Sequence, residues 1–115
     1  MSESCLFCRI ARGEIPAQIV HQDDRLVAFR DSNPQAPTHI LIIPREHLST
    51  LNDLTPSHRA LVGDMHLLAA ALAKGEGIAD TGWRVVANCG SDGGQSVFHV
   101  HLHLLGGRAL RWPPG

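Results

Sequence analysis

The stretch His99-Val100-His101-Leu102-His103-Leu104-Leu105 alternates an imidazole with an aliphatic side chain, and its reading decides the fold. Residues two apart on a strand share one face. The segment therefore reads as most of a strand over 98–105, with three imidazoles in one row spanning roughly 13 Å at about 3.3 Å per residue. Val100, Leu102 and Leu104 turn the other way, into a core. Each ring brings a donor and an acceptor that a packed interior satisfies poorly. A metal site or phosphate chemistry explains such a row. One satisfied core histidine beside two exposed ones is the plainer alternative.

Working upstream, Gly90-Ser91-Asp92-Gly93-Gly94-Gln95-Ser96 runs into this strand. Its glycines admit positive φ, so successive N–H groups can turn toward one anion, and Ser96 adds a hydroxyl. Gly-Gly turns between strands are common, but this one sits beside the imidazoles. A strand over 83–88 precedes it. Thr55-Pro56 starts a long helix, with a hydroxyl at the N-cap and proline at the first helical position. Leu61, Met65, Leu68 and Leu72 give that helix one apolar face, and Gly75 and Gly77 end it. His58 and His66 on it read as solvated or rim residues.

Strands over 18–22 and 26–31 join at Asp23-Asp24-Arg25. The segment Ser32-Asn33-Pro34-Gln35-Ala36-Pro37 cannot extend a strand, because its prolines withdraw backbone donors. A strand over 39–43 then stops at Pro44. Residues 5–12 read as a short helix with Leu6, Phe7 and Ile10 apolar. The class is α+β: five antiparallel strands, one long helix and one short helix.

A chain of 115 residues supports one domain and one core. A net charge of −1 argues against a nucleic-acid binder or a membrane-surface protein. The longest apolar stretch, Leu67 to Ala73, is too short to span a bilayer. Met1-Ser2-Glu3-Ser4 carries an acid where a signal peptide needs basic residues, so the cytoplasm is the expected compartment. Three cysteines suit a disulfide framework poorly. Cys5 and Cys8 form a Cys-x-x-Cys that reads as a metal half-site or a redox pair, and Cys89 as a small half-buried side chain.

With these pieces in place the chain resembles a known family. His99 to Leu105 fits the histidine triad pattern that names the HIT superfamily. Asp31 through His39, Ile43-Pro44, Gly93 through Val97, Leu105 through Arg108 and Trp112-Pro113-Pro114-Gly115 resemble its Hint branch, the histidine triad nucleotide-binding proteins. The resemblance covers nearly the whole chain. It implies a HIT-like fold over 1–115, sheets joined across a homodimer, and residues 106–115 as a tail near the partner.

The resemblance also implies hydrolysis of purine nucleoside phosphoramidates, AMP or GMP joined to an amine, through a covalent nucleotidyl-histidine. His101 would be the nucleophile, His103 and His39 would hold and polarise the phosphate, and Ser96 would sit near the leaving amine. Asn88 and the backbone of Gly94, Gln95 and Ser96 would bind phosphate oxygens, and Asp31 the ribose. Phe7, Ile10, Ile15 and Phe29 match the purine slot, each reading by itself as ordinary core. Ser32 stands where an aliphatic residue is common, which opens the question of base preference. Trp112 would reach the partner's site. Cys5, Cys8, His47 and His99 match the ligands of zinc-carrying members, and a closed Cys₂His₂ set makes a structural zinc rather than a catalytic one.

Two competing functions belong to other classes: a nucleotide-binding regulatory or scaffold protein with incidental turnover, and a metal-dependent hydrolase. Within the superfamily the rival is a dinucleoside polyphosphate hydrolase.

Overall fold

The structure is a computed structural model that describes residues 4–115; the expectation resting on Met1, Ser2 and Glu3 lies outside the described residues. Its elements are α1 (Leu6–Ala11), β1 (Ile19–Gln22), β2 (Leu26–Arg30), β3 (Thr38–Pro44), α2 (Arg59–Gly75), β4 (Trp83–Val86) and β5 (Leu102–Gly106). The strands form one antiparallel sheet in the order β1-β2-β3-β5-β4. Among the described residues no helix is long and apolar enough to cross a membrane.

The sheet buries both faces. Leu26, Ala28, Ile40, Ile42, Leu102 and Leu104 pack against Leu61, Met65 and Ala69 of α2. Val27, Phe29, Leu41 and Ile43 pack against Phe7, Ile10 and Ala11 of α1. Every residue of β3 is buried, so its sequence runs apolar instead of alternating. The buried row of α2 is Leu61, Met65, Ala69 and Ala73. Leu68 and Leu72 are half-buried flanks of that row. Alanine at 69 and 73 has no bulk to hold the helix off the sheet, a feature that counting large apolar residues misses.

The final strand is shorter at its start than the alternation suggests. β5 pairs with β3 from Thr38↔Gly106 to Ile42↔Leu102 and goes no further. Continuing would set the next residues against Ile43 and Pro44, and proline has no N–H to offer a ladder. Val100 instead donates its N–H to the Leu48 carbonyl at 2.7 Å. His99 and His101 thus lie on an irregular lead-in to β5, yet Val100, Leu102 and Leu104 still face the core. At the other end Gly106 pairs with Thr38 and Trp83, so the tail starts at Gly107. The entry to α2 also differs. Pro56–His58 is a 3₁₀ turn, and His58 is a half-buried rim residue whose Nδ1 accepts the Thr55 N–H at 2.9 Å.

Candidate functional site

A cleft of about 540 Å³ opens on the α1 side of the sheet. Phe7, Ile10, Ile15, Phe29 and Leu41 give it apolar walls, with Asp31, Ser32, Ser96, His101 and His103 as polar lining. Phe7 stands edge-on to Phe29, centroids 5.4 Å apart, and edge-on to His101 at 5.1 Å. The alternation of β3 and β5 puts His39 and His103 on this face, where His39 Nε2 lies 2.9 Å from His103 Nδ1.

Backbone partners assign the protons on these rings. The Gln35 N–H donates to His39 Nδ1 at 3.0 Å, so in the neutral ring Nε2 carries the hydrogen. That hydrogen is donated to His103 Nδ1, which leaves the His103 proton on Nε2. His101 Nδ1 donates to the His99 carbonyl at 2.6 Å, so its Nε2 is bare. The cleft therefore holds one unprotonated ring nitrogen, on His101, beside a ring N–H donor, on His103. Burial lowers His103 to about 4, helped by His101 and His39. Burial also lowers His39, against the opposing pull of Asp31. Both rings are neutral near pH 7. Asp31, His39 and His103 lie close enough to suggest a metal trio, but the atoms that would meet the ion share the His39–His103 hydrogen bond.

Asp31 turns one oxygen to the Asn33 N–H at 2.8 Å and the other toward His39 Nε2 at 3.4 Å. The glycine-rich loop is closed on itself: Gly94 N–H donates to Ser91 O and Gln95 N–H to Gly90 O, each at 3.0 Å. Gly94 has φ +80°, as such a turn requires. The Gln95 side chain is buried, accepting from Gly90 N–H and donating to the Ser49 and Val97 carbonyls. Gln95 thus staples the loop, and Ser96 is the loop residue left facing the cleft. Asn88 is half-buried beyond the end of β4 and, like Trp112, is not among the lining residues. Trp112 is 81% exposed.

Behind the cleft Cys5, Cys8, His47 and His99 bring one ligand atom each within 4.8 Å of the others, and they could hold a metal ion. His47 Nδ1 and His99 Nδ1 are 3.2 Å apart. Cys8 Sγ is 3.3 Å from His47 Nδ1 and 3.4 Å from His99 Nδ1, and Cys5 Sγ is 3.4 Å from His99 Nδ1. A tetrahedral zinc with bonds of about 2.0–2.3 Å sets its ligand atoms about 3.3–3.8 Å apart, so the spacing fits. His99 is fully buried and gives its Nε2–H to the Pro44 carbonyl at 2.7 Å, which leaves Nδ1 bare and aimed at the cluster. Burial and the Cys5 sulfur push the Cys8 thiol up to about 11. A bound cation reverses that, because it stabilises the thiolate. Cys5 and Cys8 are free thiols here, as the metal reading requires.

Sequence reasoning had no signal for the backbone groups that orient the rings, namely Gln35 N–H and the carbonyls of Pro44 and His99. It also missed Ser49, whose Oγ lies 3.2 Å from His47 Nε2. Arg30 lines the cleft rim, but its guanidinium is paired bidentately with Glu76 at 2.6 and 2.9 Å.

The HIT domain family model matches residues 12–110. The chain is 52% identical over 110 residues to the purine nucleoside phosphoramidase of Escherichia coli strain K12, covering 96% of this chain and 92% of that one. A HIT family hydrolase from Legionella pneumophila Philadelphia 1 superposes with a TM-score of 0.96 at 53% identity, covering 97% of this chain and 100% of that chain. A zinc-bound histidine triad family protein from Mycobacterium smegmatis superposes at 0.80 with 32% identity, covering 94% and 78%.

Proposed function

This chain belongs to the HIT domain family, and from that premise we propose that it hydrolyses the P–N bond of purine nucleoside phosphoramidates. The observation that carries the reading is the pair of rings in the cleft: a bare His101 Nε2 beside a His103 Nε2–H, at the end of an apolar slot. The name of the Escherichia coli relative supports it.

His101 Nε2 attacks the α-phosphorus, and a nitrogen–phosphorus bond forms as the bond to the amine breaks. The amine leaves with a proton taken from solvent and relayed through the Ser96 hydroxyl. The ring then carries positive charge, which the His99 carbonyl stabilises through His101 Nδ1–H. Water attacks the nucleotidyl-histidine, the nucleotide departs, and the borrowed proton returns to solvent. His103 Nε2–H donates to the phosphate oxygens, and His39 holds that tautomer in place. Ser96 completes the phosphate site, with Gly94 and Gln95 shaping the loop that presents it. Asp31 accepts from the ribose, and Phe7, Ile10, Ile15 and Phe29 enclose the purine with Ser32 at the rim.

Cys5, Cys8, His47 and His99 hold a structural zinc. Four protein ligands leave no open position for water, so the ion ties α1 to the lead-in of β5 and takes no part in the chemistry. The assembly is a homodimer joined sheet to sheet along β4, an edge strand beside which the tail lies through Arg84 and the Arg111 carbonyl at 2.9 Å. Each Trp112 then reaches the partner's cleft. Steady-state hydrolysis of adenosine and guanosine phosphoramidates, with and without chelator, tests the function. Turnover that survives brief chelation is expected. No turnover of any member, or abrupt loss on chelation while the chain stays folded, would contradict it.

A further inference from the structure

Residues 32–37 join Asp31 to His39, and their hydrogen bonds run mostly within that stretch. Asn33 N–H donates to Asp31 Oδ1 at 2.8 Å, and the Gln35 side-chain Nε2–H to the Asn33 carbonyl at 2.9 Å. The Gln35 N–H donates to His39 Nδ1 at 3.0 Å. Among the described residues Arg108 is the one side chain outside residues 31–39 that bonds to this segment: its Nε–H donates to the Gln35 carbonyl at 2.9 Å. The path of the chain brings it there. Gly106 pairs with Thr38 at the end of β5, and Gly107 follows at φ +93°. Gly107 lies so close to Pro37 that a Cβ on it would meet the Pro37 Cβ at 2.8 Å. A second guanidinium bond, from Nη1–H to the Ala109 carbonyl at 3.0 Å, anchors the Arg108 side chain on its own segment.

We propose that Arg108 is a positioning residue for the histidine rings: by holding the Gln35 carbonyl it keeps the Gln35 N–H on His39 Nδ1, and so keeps the hydrogens of His39 and His103 on Nε2. Its consequence for turnover rests on the phosphoramidase reading. With the Gln35 N–H displaced, His39 Nδ1 is free to carry the ring hydrogen. His39 Nε2 then accepts from His103 Nδ1–H across the same 2.9 Å contact, and His103 Nε2 is left bare. A lone pair there repels the phosphate oxygens that an N–H would bind. Asp31 also favours the hydrogen on His39 Nε2, but its oxygen, at 3.4 Å, is too far to fix it alone. Pro34 and Pro37 stiffen the segment, and the Arg108 bond sets where that stiff unit sits. Arg108 does not line the cleft, so it acts through Gln35 and not on the substrate.

The test reads the ring tautomers directly, by long-range nitrogen–proton NMR of isotope-labelled histidines at neutral pH, beside steady-state kinetics on an adenosine phosphoramidate. The unsubstituted chain is expected to show His39 and His103 as single Nε2–H tautomers. In Arg108→Ala both rings populate the Nδ1–H form, and kcat falls about tenfold while KM stays within about twofold. Arg108→Lys keeps a charged donor for the Gln35 carbonyl without the second bond, and should fall between the two on both readouts. Tautomers unchanged in Arg108→Ala would overturn the inference, whether kcat is kept or is lost together with thermal stability. Failure of the unsubstituted chain to turn over any phosphoramidate would contradict the function, while the tautomers would still decide the role of Arg108.

Discussion

The Gln35 N–H fixes the proton on His39, His39 fixes it on His103, and the His99 carbonyl fixes it on His101. The row of rings at 99, 101 and 103 was legible from the alternation of residues 99–105, and the roles proposed for them came from the family resemblance. Their protonation was not, because it depends on backbone groups that carry no side-chain pattern. Replacing His101 with Ala is expected to cut phosphoramidate turnover at least a thousandfold, about 4 kcal/mol of transition-state stabilisation, while AMP still binds by calorimetry. Retention of a tenth of wild-type turnover would reassign the nucleophile. Buried His103 and His39 also make stability depend on pH. Both are lowered from the ordinary 6.5, His103 to about 4. The unfolded chain therefore binds more protons than the folded one between those values. Stability is full above about 6.5 and is lost as pH falls toward 4. Chemical denaturation across that window should show a decline that is shallower in His103→Gln. Equal slopes would mean that His103 is not the buried neutral ring described.

At the scale of elements, a helix of the length of α1 has no stability of its own. It is held by the packing of Phe7, Ile10 and Ala11 and by the contacts of Cys5 and Cys8 with His47 and His99, four residues that could hold a metal ion. Cys5 serves both ends of this arrangement, as N-cap accepting the Cys8 N–H at 3.4 Å and as one of the four residues that could hold a metal ion. Cys8→Ser is expected to lose the metal and lower the midpoint of thermal unfolding by roughly 4 °C or more. Elemental analysis and a melting curve check this. Freshly purified protein without metal, or a variant that keeps it, would refute the site. Element types were legible because α2 carries apolar residues at spacings of three and four, and β2 and β3 are short apolar runs bounded by turn and proline signals. The start of β5 was not, because its limit is set by Pro44 on another strand. The apolar face of α2 was legible, with Leu68 and Leu72 packed at its flank, whereas the alanines at 69 and 73 that are buried with Leu61 and Met65 gave no signal of bulk.

For the whole molecule, Trp112 is 81% exposed, in a tail that lies beside a β4 edge that no described residue pairs in the sheet. An unpaired edge is a liability in a small sheet protein, and a second copy removes it. Sedimentation at micromolar concentration should give a dimer. Deleting residues 111–115 should leave the fold intact and change kcat/KM for at least some amines. A monomer, or unchanged kinetics on every substrate, would contradict the assembly. The most direct test of the central claim is rapid quenching of the enzyme with an adenosine phosphoramidate, followed by mass spectrometry of the intact chain and its peptides. A nucleotidyl group on His101 that forms and decays at the rate of turnover is the result expected. Full turnover with no adduct, or an adduct on any other residue, would contradict it.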